Sequence, residues 1–220
     1  MRQLRSAPET DCDTRSAVTG SLLGWGLVAG PLYVTVSLAQ ALSRPGFDLT
    51  RHAWSLLENG RLGWIQIANL VLTGLMVTAF AAGVRRALPD APRAAGLLGV
   101  FGLSLVAAGV LRADPAQGFP PGTPDGPGPV SWPGIGHLVA GGIGFTALAV
   151  ACLLLAAGFA RRGRPGWAWF SGTTGALFGA GFAGVASGTA NGWTTLGLVA
   201  AVVLVFTWIT ALAGWLFGHR

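Results

Sequence analysis

The chain has 220 residues, of which 52% are hydrophobic and only 10% charged, with 35 glycines and 9 tryptophans. A soluble domain carries about 25% charged residues, so this composition cannot coat a globule and excludes a soluble enzyme or soluble binding module. Disorder is excluded too, because disordered chains lack hydrophobic content on this scale. What remains is an all-α, polytopic membrane helix bundle.

All 14 basic residues are arginine, and the formal net charge is +6. On a soluble protein that charge points to nucleic acid. Here the arginines fall in short segments between apolar stretches, so topology accounts for them, and the expected partner is membrane lipid rather than nucleic acid. Cys12 and Cys152 fall in a polar tail and in mid-span, with no CxxC or Cys/His metal pattern around them.

In chain order, residues 1–19 read as a disordered cytoplasmic tail and residues 20–218 as a six-span transmembrane domain. Crossing a hydrocarbon core of about 30 Å takes roughly 20 apolar helical residues. Stretches of that kind lie at about 21–42, 62–84, 94–111 and 134–160. No charge occurs from Pro165 to Gly218, a run too long for one helix. The segment Ser187-Gly188-Thr189-Ala190-Asn191-Gly192-Trp193 carries turn chemistry that divides it into spans at 167–186 and 194–217. The polar residues ahead of the first apolar run mark it as a span, not a cleavable signal peptide.

Arginine placement gives the orientation. Arg2, Arg5, Arg15, Arg85, Arg86, Arg93, Arg161, Arg162, Arg164 and Arg220 fall on one side; Arg44, Arg51, Arg61 and Arg112 fall on the other. The expected location is a bacterial inner (plasma) membrane with both termini cytoplasmic. Small-xxx-small spacings at Gly20/Gly24, Gly26/Gly30, Gly175/Gly179, Gly184/Gly188 and Gly214/Gly218 suit close helix packing within one monomer. Residues 27–35 echo 138–146, and Arg61–Trp64 echoes Arg164–Trp167. Such echoes hint at two inverted three-span halves, as in many transporters.

Polar chemistry collects on the outer side. Between spans one and two, Asp48, His52, Ser55 and Asn59 fall on one face of a helix, which predicts a short amphipathic outer-face helix with its polar stripe toward the bundle mouth. Asp114 follows span three and His137 lies about one turn into span four, where a histidine avoids lipid by facing the bundle. Asp48, His52, Ser55, Asp114 and His137 are therefore the candidate catalytic cluster, and His52, Asp114 and His137 the candidate metal ligands if a metal is held. The Pro/Gly-rich loop 114–133 reads as a connector rather than a cover. Gln66, Asn69, Thr73 and Thr174 read as interhelical hydrogen bonders, and the tryptophans as an interfacial belt.

Gly26-x-x-x-Gly30-Pro31, Pro45-Gly-Phe-Asp48, His52-x-x-Ser55, Gly63-Trp64, Asp114 and His137 together resemble a bacterial six-helix membrane family catalogued as domain of unknown function 998. The resemblance runs from about Gly20 to Gly218 and implies the same architecture, with no activity attached. Asp and His can act as general acid and base, with Ser55 a nucleophile if a histidine reaches it, which would give an enzyme acting on a lipid or isoprenoid substrate. The alternatives are a small transporter or proton-coupled permease, and a non-catalytic protein in which these groups only satisfy one another. No residue pattern points to a cofactor, a particular protein partner or an oligomeric state.

Overall fold

A computed structural model describes residues 9–188 and 191–219. It contains six α-helices and one short 3₁₀ helix: α1 Glu9–Ser43, the 3₁₀ helix Trp54–Glu58, α2 Gly63–Ala87, α3 Pro92–Val110, α4 Trp132–Arg161, α5 Pro165–Ala186 and α6 Gly192–Gly218. Five of them carry stretches long and apolar enough to cross a membrane: Thr14–Ser43, Gly63–Ala87, Pro92–Val110, Trp132–Arg161 and Gly192–Gly218. α5 is 22 residues long and free of charge. Its glycines, with Trp167, Trp169, Ser171, Thr173 and Thr174, leave it less apolar than the others.

Local chemistry sets the helix ends. Proline occupies the first turn of α3, α4 and α5, where its missing N–H is not needed. Ser131 caps α4 by accepting from the Gly134 N–H. Asn191 caps α6 through a capping box with Thr194. Arg85 and Arg86 close α2, where positive charge favours the negative end of the helix dipole. Helix α1 starts earlier than the sequence suggested. Residues 9–19, expected to be part of a disordered tail, are helical, and no proline or glycine interrupts residues 9–19. The rest of that tail, residues 1–8, lies outside the described residues.

Each helix packs antiparallel against its sequence neighbours, and α6 returns to α1, so the six form a closed ring. Close helix crossings need glycine. A Cβ on Gly30 would press on the Phe206 carbonyl oxygen at 2.6 Å, and one on Gly74 would meet the Gly102 carbonyl. The Gly26/Gly30 pair therefore serves packing of α1 on α6 within the monomer, as the sequence suggested. Gly24 has no atom near a would-be Cβ, so Gly20/Gly24 is not such a contact. Inside the ring Phe80, Phe101, Leu148, Val205 and Trp208 are buried, while Leu72, Leu75, Leu103, Leu138 and Leu177 face outward and exposed. Apolar surface on both sides of the helices is what a lipid surround requires.

The ring also decides the question of the repeat. Matching α1–α3 to α4–α6 keeps the cyclic order of the helices but reverses every helix direction. In a six-membered ring that operation is an inversion centre, which a chain of L-residues cannot possess. An axis in the membrane plane, the relation found in inverted-repeat transporters, would reverse the cyclic order instead. The sequence echoes are therefore not an inverted structural repeat.

Candidate functional site

The loops 44–62 and 111–131 lie at one end of the bundle, here called the long-loop end. The chain leaves α1 through a turn at Gly46, whose φ is +79°. Asp48 then folds the backbone on itself: its Oδ1 accepts from the Thr50 N–H at 2.8 Å and the Thr50 hydroxyl at 2.7 Å. Those two bonds hold its carboxyl below the usual carboxylate range. His52 closes the turn. Its Nδ1 accepts from the Asp48 N–H at 2.8 Å, which leaves the proton on Nε2 to donate to the Gln117 carbonyl at 2.8 Å. The imidazole packs among Phe47 and Phe119, and the Arg44 guanidinium lies over the Phe119 ring. Arg44 also donates to the carbonyls of Leu57 and Asn59.

This arrangement corrects two sequence-based expectations. Residues 44–53 form turns, and the short helix is a five-residue 3₁₀ turn, so Asp48, His52, Ser55 and Asn59 do not share one helical face. The second loop is also more than a connector. Gln117 bonds to Gly126 and Gly118 to Pro124 along the backbone, Asp125 pairs with Arg51 at 2.8 Å, and Phe119 is 1% exposed. It folds as a cover over the long-loop end. Trp132, at the start of α4, is 83% exposed.

The 3₁₀ helix directs its last residues inward. Glu58 Oε2 accepts the Ala113 N–H at 2.9 Å, and Asn59 Nδ2 donates to the Ala113 carbonyl at 3.1 Å. Glu58 is 1% exposed. Among the described residues its Oε1 has no hydrogen-bond partner, and it lies 3.6 Å from His137 Nδ1. His137 Nδ1 itself is 3.0 Å from the carbonyls of Ala108 and Leu111 at the end of α3. Burial pushes the Glu58 carboxyl up to about 8, against the smaller opposing pull of the Ala113 N–H and Arg112. Sequence reasoning missed Glu58 because an α-helical reading from Asp48 turns it off the polar stripe. The tighter 3₁₀ turn re-aims it. Its signal was an acid directly following Leu56 and Leu57.

Asp114 serves α4. Its carboxylate accepts from the Ser131 N–H at 2.8 Å and the Ser131 hydroxyl at 2.5 Å, bonds that hold it below the ordinary carboxylate range. It also sits against Gly134, where a Cβ would collide with it. The five sequence candidates thus fall into separate units: Asp48 with His52, Asp114 with Ser131, and His137 with Glu58. Ser55 is half-buried, and no hydrogen bond joins it to either histidine. Among the described residues no group of three or more His, Cys, Asp or Glu side chains is placed to hold a metal ion, so His52, Asp114 and His137 do not form such a set.

Below this end, α1 and α2 share a buried polar seam. Gln66 Oε1 accepts from Gln40 Nε2 at 2.9 Å, and Asn69 Nδ2 donates to Ser37 Oγ at 3.1 Å and to the Tyr33 carbonyl at 3.2 Å. Gln66 and Asn69 are interhelical hydrogen bonders, as expected. Thr73 and Thr174 are buried, and among the described residues their hydroxyls have no partner. Trp25, Trp64, Trp132, Trp169 and Trp193 are exposed, as an interfacial belt requires. Trp54 and Trp208 are core residues instead, and Trp208 donates to Ser171 at 3.0 Å.

A ring of apolar helices with polar loops folded over one end defines a multi-pass integral membrane protein. Residues 27–215 match the family model described as protein of unknown function (DUF998), and the chain belongs to that family. No curated protein and no solved structure matches it.

Proposed function

We propose that this chain is a protonation-responsive protein of a bacterial plasma membrane, both termini cytoplasmic, in which Glu58 takes up and releases the proton. The observation that carries the reading is the Glu58 carboxyl itself, buried, with one oxygen on Ala113 and the other unpartnered 3.6 Å from His137. A carboxyl buried with an unpartnered oxygen is expensive, and an ionisable group in such a perturbed environment is a candidate functional position. The titratable groups facing Glu58 are Tyr33 from α1, Arg112 beyond α3 and His137 from α4. The orientation is supported by the excess of arginine at the end opposite the long loops.

A neutral Glu58 accepts the Ala113 N–H and is tolerated in its buried site. Ionisation leaves a charge there with few compensating partners, which weakens docking of the 3₁₀ helix on residues 111–114. The cover formed by both loops then loosens. Beneath it the seam of Gln40, Gln66, Asn69 and Thr73 supplies polar groups to a depth of about 15 Å along α2, near mid-membrane. A proton-coupled permease is the activity this arrangement fits best. For the enzyme reading, a nucleophilic Ser55 would need a histidine, and no hydrogen bond joins it to His52, whose ring nitrogens are both engaged, or to His137.

The test is infrared spectroscopy of the protonated carboxyl band during a pH titration of the protein in nanodiscs, beside Glu58→Gln. A band that disappears with a midpoint near 8 and is missing from the variant supports the reading. Titration of all carboxyls in the ordinary carboxylate range would overturn it.

A further inference from the structure

The opposite, short-loop end holds a feature that the protonation reading does not use. Because α3 and α4 are antiparallel neighbours, the α2–α3 turn meets the α4–α5 turn, and Asp90 of the first bonds to Arg162 of the second. Beside this pair is an open-sided cavity of about 370 Å³, lined by Arg93, Arg161 and Arg162 with Asp90, and by Leu154 and Gly158 below them. Three guanidinium groups thus face a single carboxylate. The Arg162 group packs over the Phe159 ring, and its Nη1 is buried with no hydrogen-bond partner among the described residues. Arg85, Arg86 and Arg164 add exposed positive charge at the same end.

The lower wall has the opposite character. Leu154 is 40% exposed and Leu153 48%, so the cavity continues onto the outward, apolar surface of the helix ring. A free anion would use the arginines and leave that wall idle. An anionic phospholipid uses both, its phosphate among the guanidiniums and its chains along α4. Basic pockets between membrane helices recognise headgroups in this way. We propose that the cavity between the α2–α3 and α4–α5 turns binds one anionic phospholipid, with Arg93, Arg161 and Arg162 as headgroup contacts and Leu154 and Gly158 as the chain-facing wall.

The experiment is native mass spectrometry of the full-length protein in detergent, titrated with phosphatidylglycerol or phosphatidylcholine. The site variant is Arg93→Gln/Arg161→Gln, which leaves the Arg162–Asp90 pair in place, and the control is Arg85→Gln/Arg86→Gln, which removes equal charge from the same end. The wild type is expected to retain one phosphatidylglycerol in preference to phosphatidylcholine. The site variant should lose about tenfold or more of that preference, since only Arg93 and Arg161 of the four line the cavity, while the control keeps most of it. Equal binding of the two lipids, or equal losses in both variants, would overturn the proposal. Displacement of the lipid by inorganic phosphate alone would overturn the role of the apolar wall and make the cavity a simple anion site. A folded helical spectrum from both variants is the condition for reading either result.

Discussion

Glu58 and Asn59, adjacent in sequence, take both backbone groups of one residue: Glu58 Oε2 accepts the Ala113 N–H while Asn59 Nδ2 donates to the Ala113 carbonyl. This clamp joins the loop after α1 to the loop after α3. It explains how a carboxyl can be buried at the mouth of the bundle, because one of its oxygens is satisfied by a donor that would otherwise be orphaned there.

The clamp makes stability depend on pH with a definite sign. The folded-state value of about 8 lies above the ordinary 4.5, so across that window the folded protein holds a proton that the unfolded chain has released. Stability is therefore greatest below the lower value, falls as pH rises through the window, and levels off above about 8. The change is on the order of a few kcal/mol. Thermal unfolding in detergent across the window should show this fall in the wild type and not in Glu58→Gln. A wild-type profile that matches the variant's would remove the buried proton.

His52 is expected to hold the cover together rather than to do chemistry on its own. Replacing it with alanine strands the Asp48 N–H and the Gln117 carbonyl and empties the space between Phe47 and Phe119. The cost is about 2–4 kcal/mol, and it is local. Hydrogen exchange should speed up at residues 47–52 and 116–119 with little change in the helices. Unaltered protection of both segments would show that His52 is not the link.

Much of this architecture was legible in the sequence because lipid imposes simple rules. Apolar runs of sufficient length gave the helices, and the Ser187–Trp193 segment gave the break between α5 and α6. The candidate site was less legible. Asp48, His52, Asp114 and His137 are all near the long-loop end, yet the histidines bond backbone groups of Asp48, Gln117, Ala108 and Leu111, and the aspartates bond the N–H and hydroxyl of Thr50 and Ser131 rather than one another. Side-chain spacing cannot reveal bonds to a distant main chain. Glu58 escaped because a 3₁₀ turn, set by how residues 54–58 pack on α1 and α2, rotates it away from its α-helical position.

The glycines of α1 offer a paired test of ring closure. Gly30→Ala places a methyl group against the Phe206 backbone, which cannot yield as a side-chain tip can. Overpacking of this kind costs about 1–3 kcal/mol, more than the roughly 1 kcal/mol of helix propensity that alanine adds. Gly24→Ala meets nothing and should be neutral or slightly stabilising. Unfolding measured side by side in one detergent decides it, and equal stabilities would mean that α1 and α6 do not pack as described.

The polar seam predicts a contrast between two neighbours on α2. Asn69 bonds to Ser37 and to the Tyr33 carbonyl, so Asn69→Leu removes two of the bonds between α1 and α2 and leaves those that Gln66 makes with Gln40 and Ser37. Hydrogen bonds between membrane helices are worth about 0.6–2 kcal/mol, and a loss of that size is expected. Thr73 is also fully buried, but among the described residues its hydroxyl has no partner. Thr73→Val keeps the shape and removes an unsatisfied group, so it should leave stability unchanged or raise it. If the valine variant is instead destabilised as much as Asn69→Leu, the Thr73 hydroxyl has a partner such as water. Such a water would tie Thr73 into the polar seam of Gln66 and Asn69 rather than leave it an isolated hydroxyl.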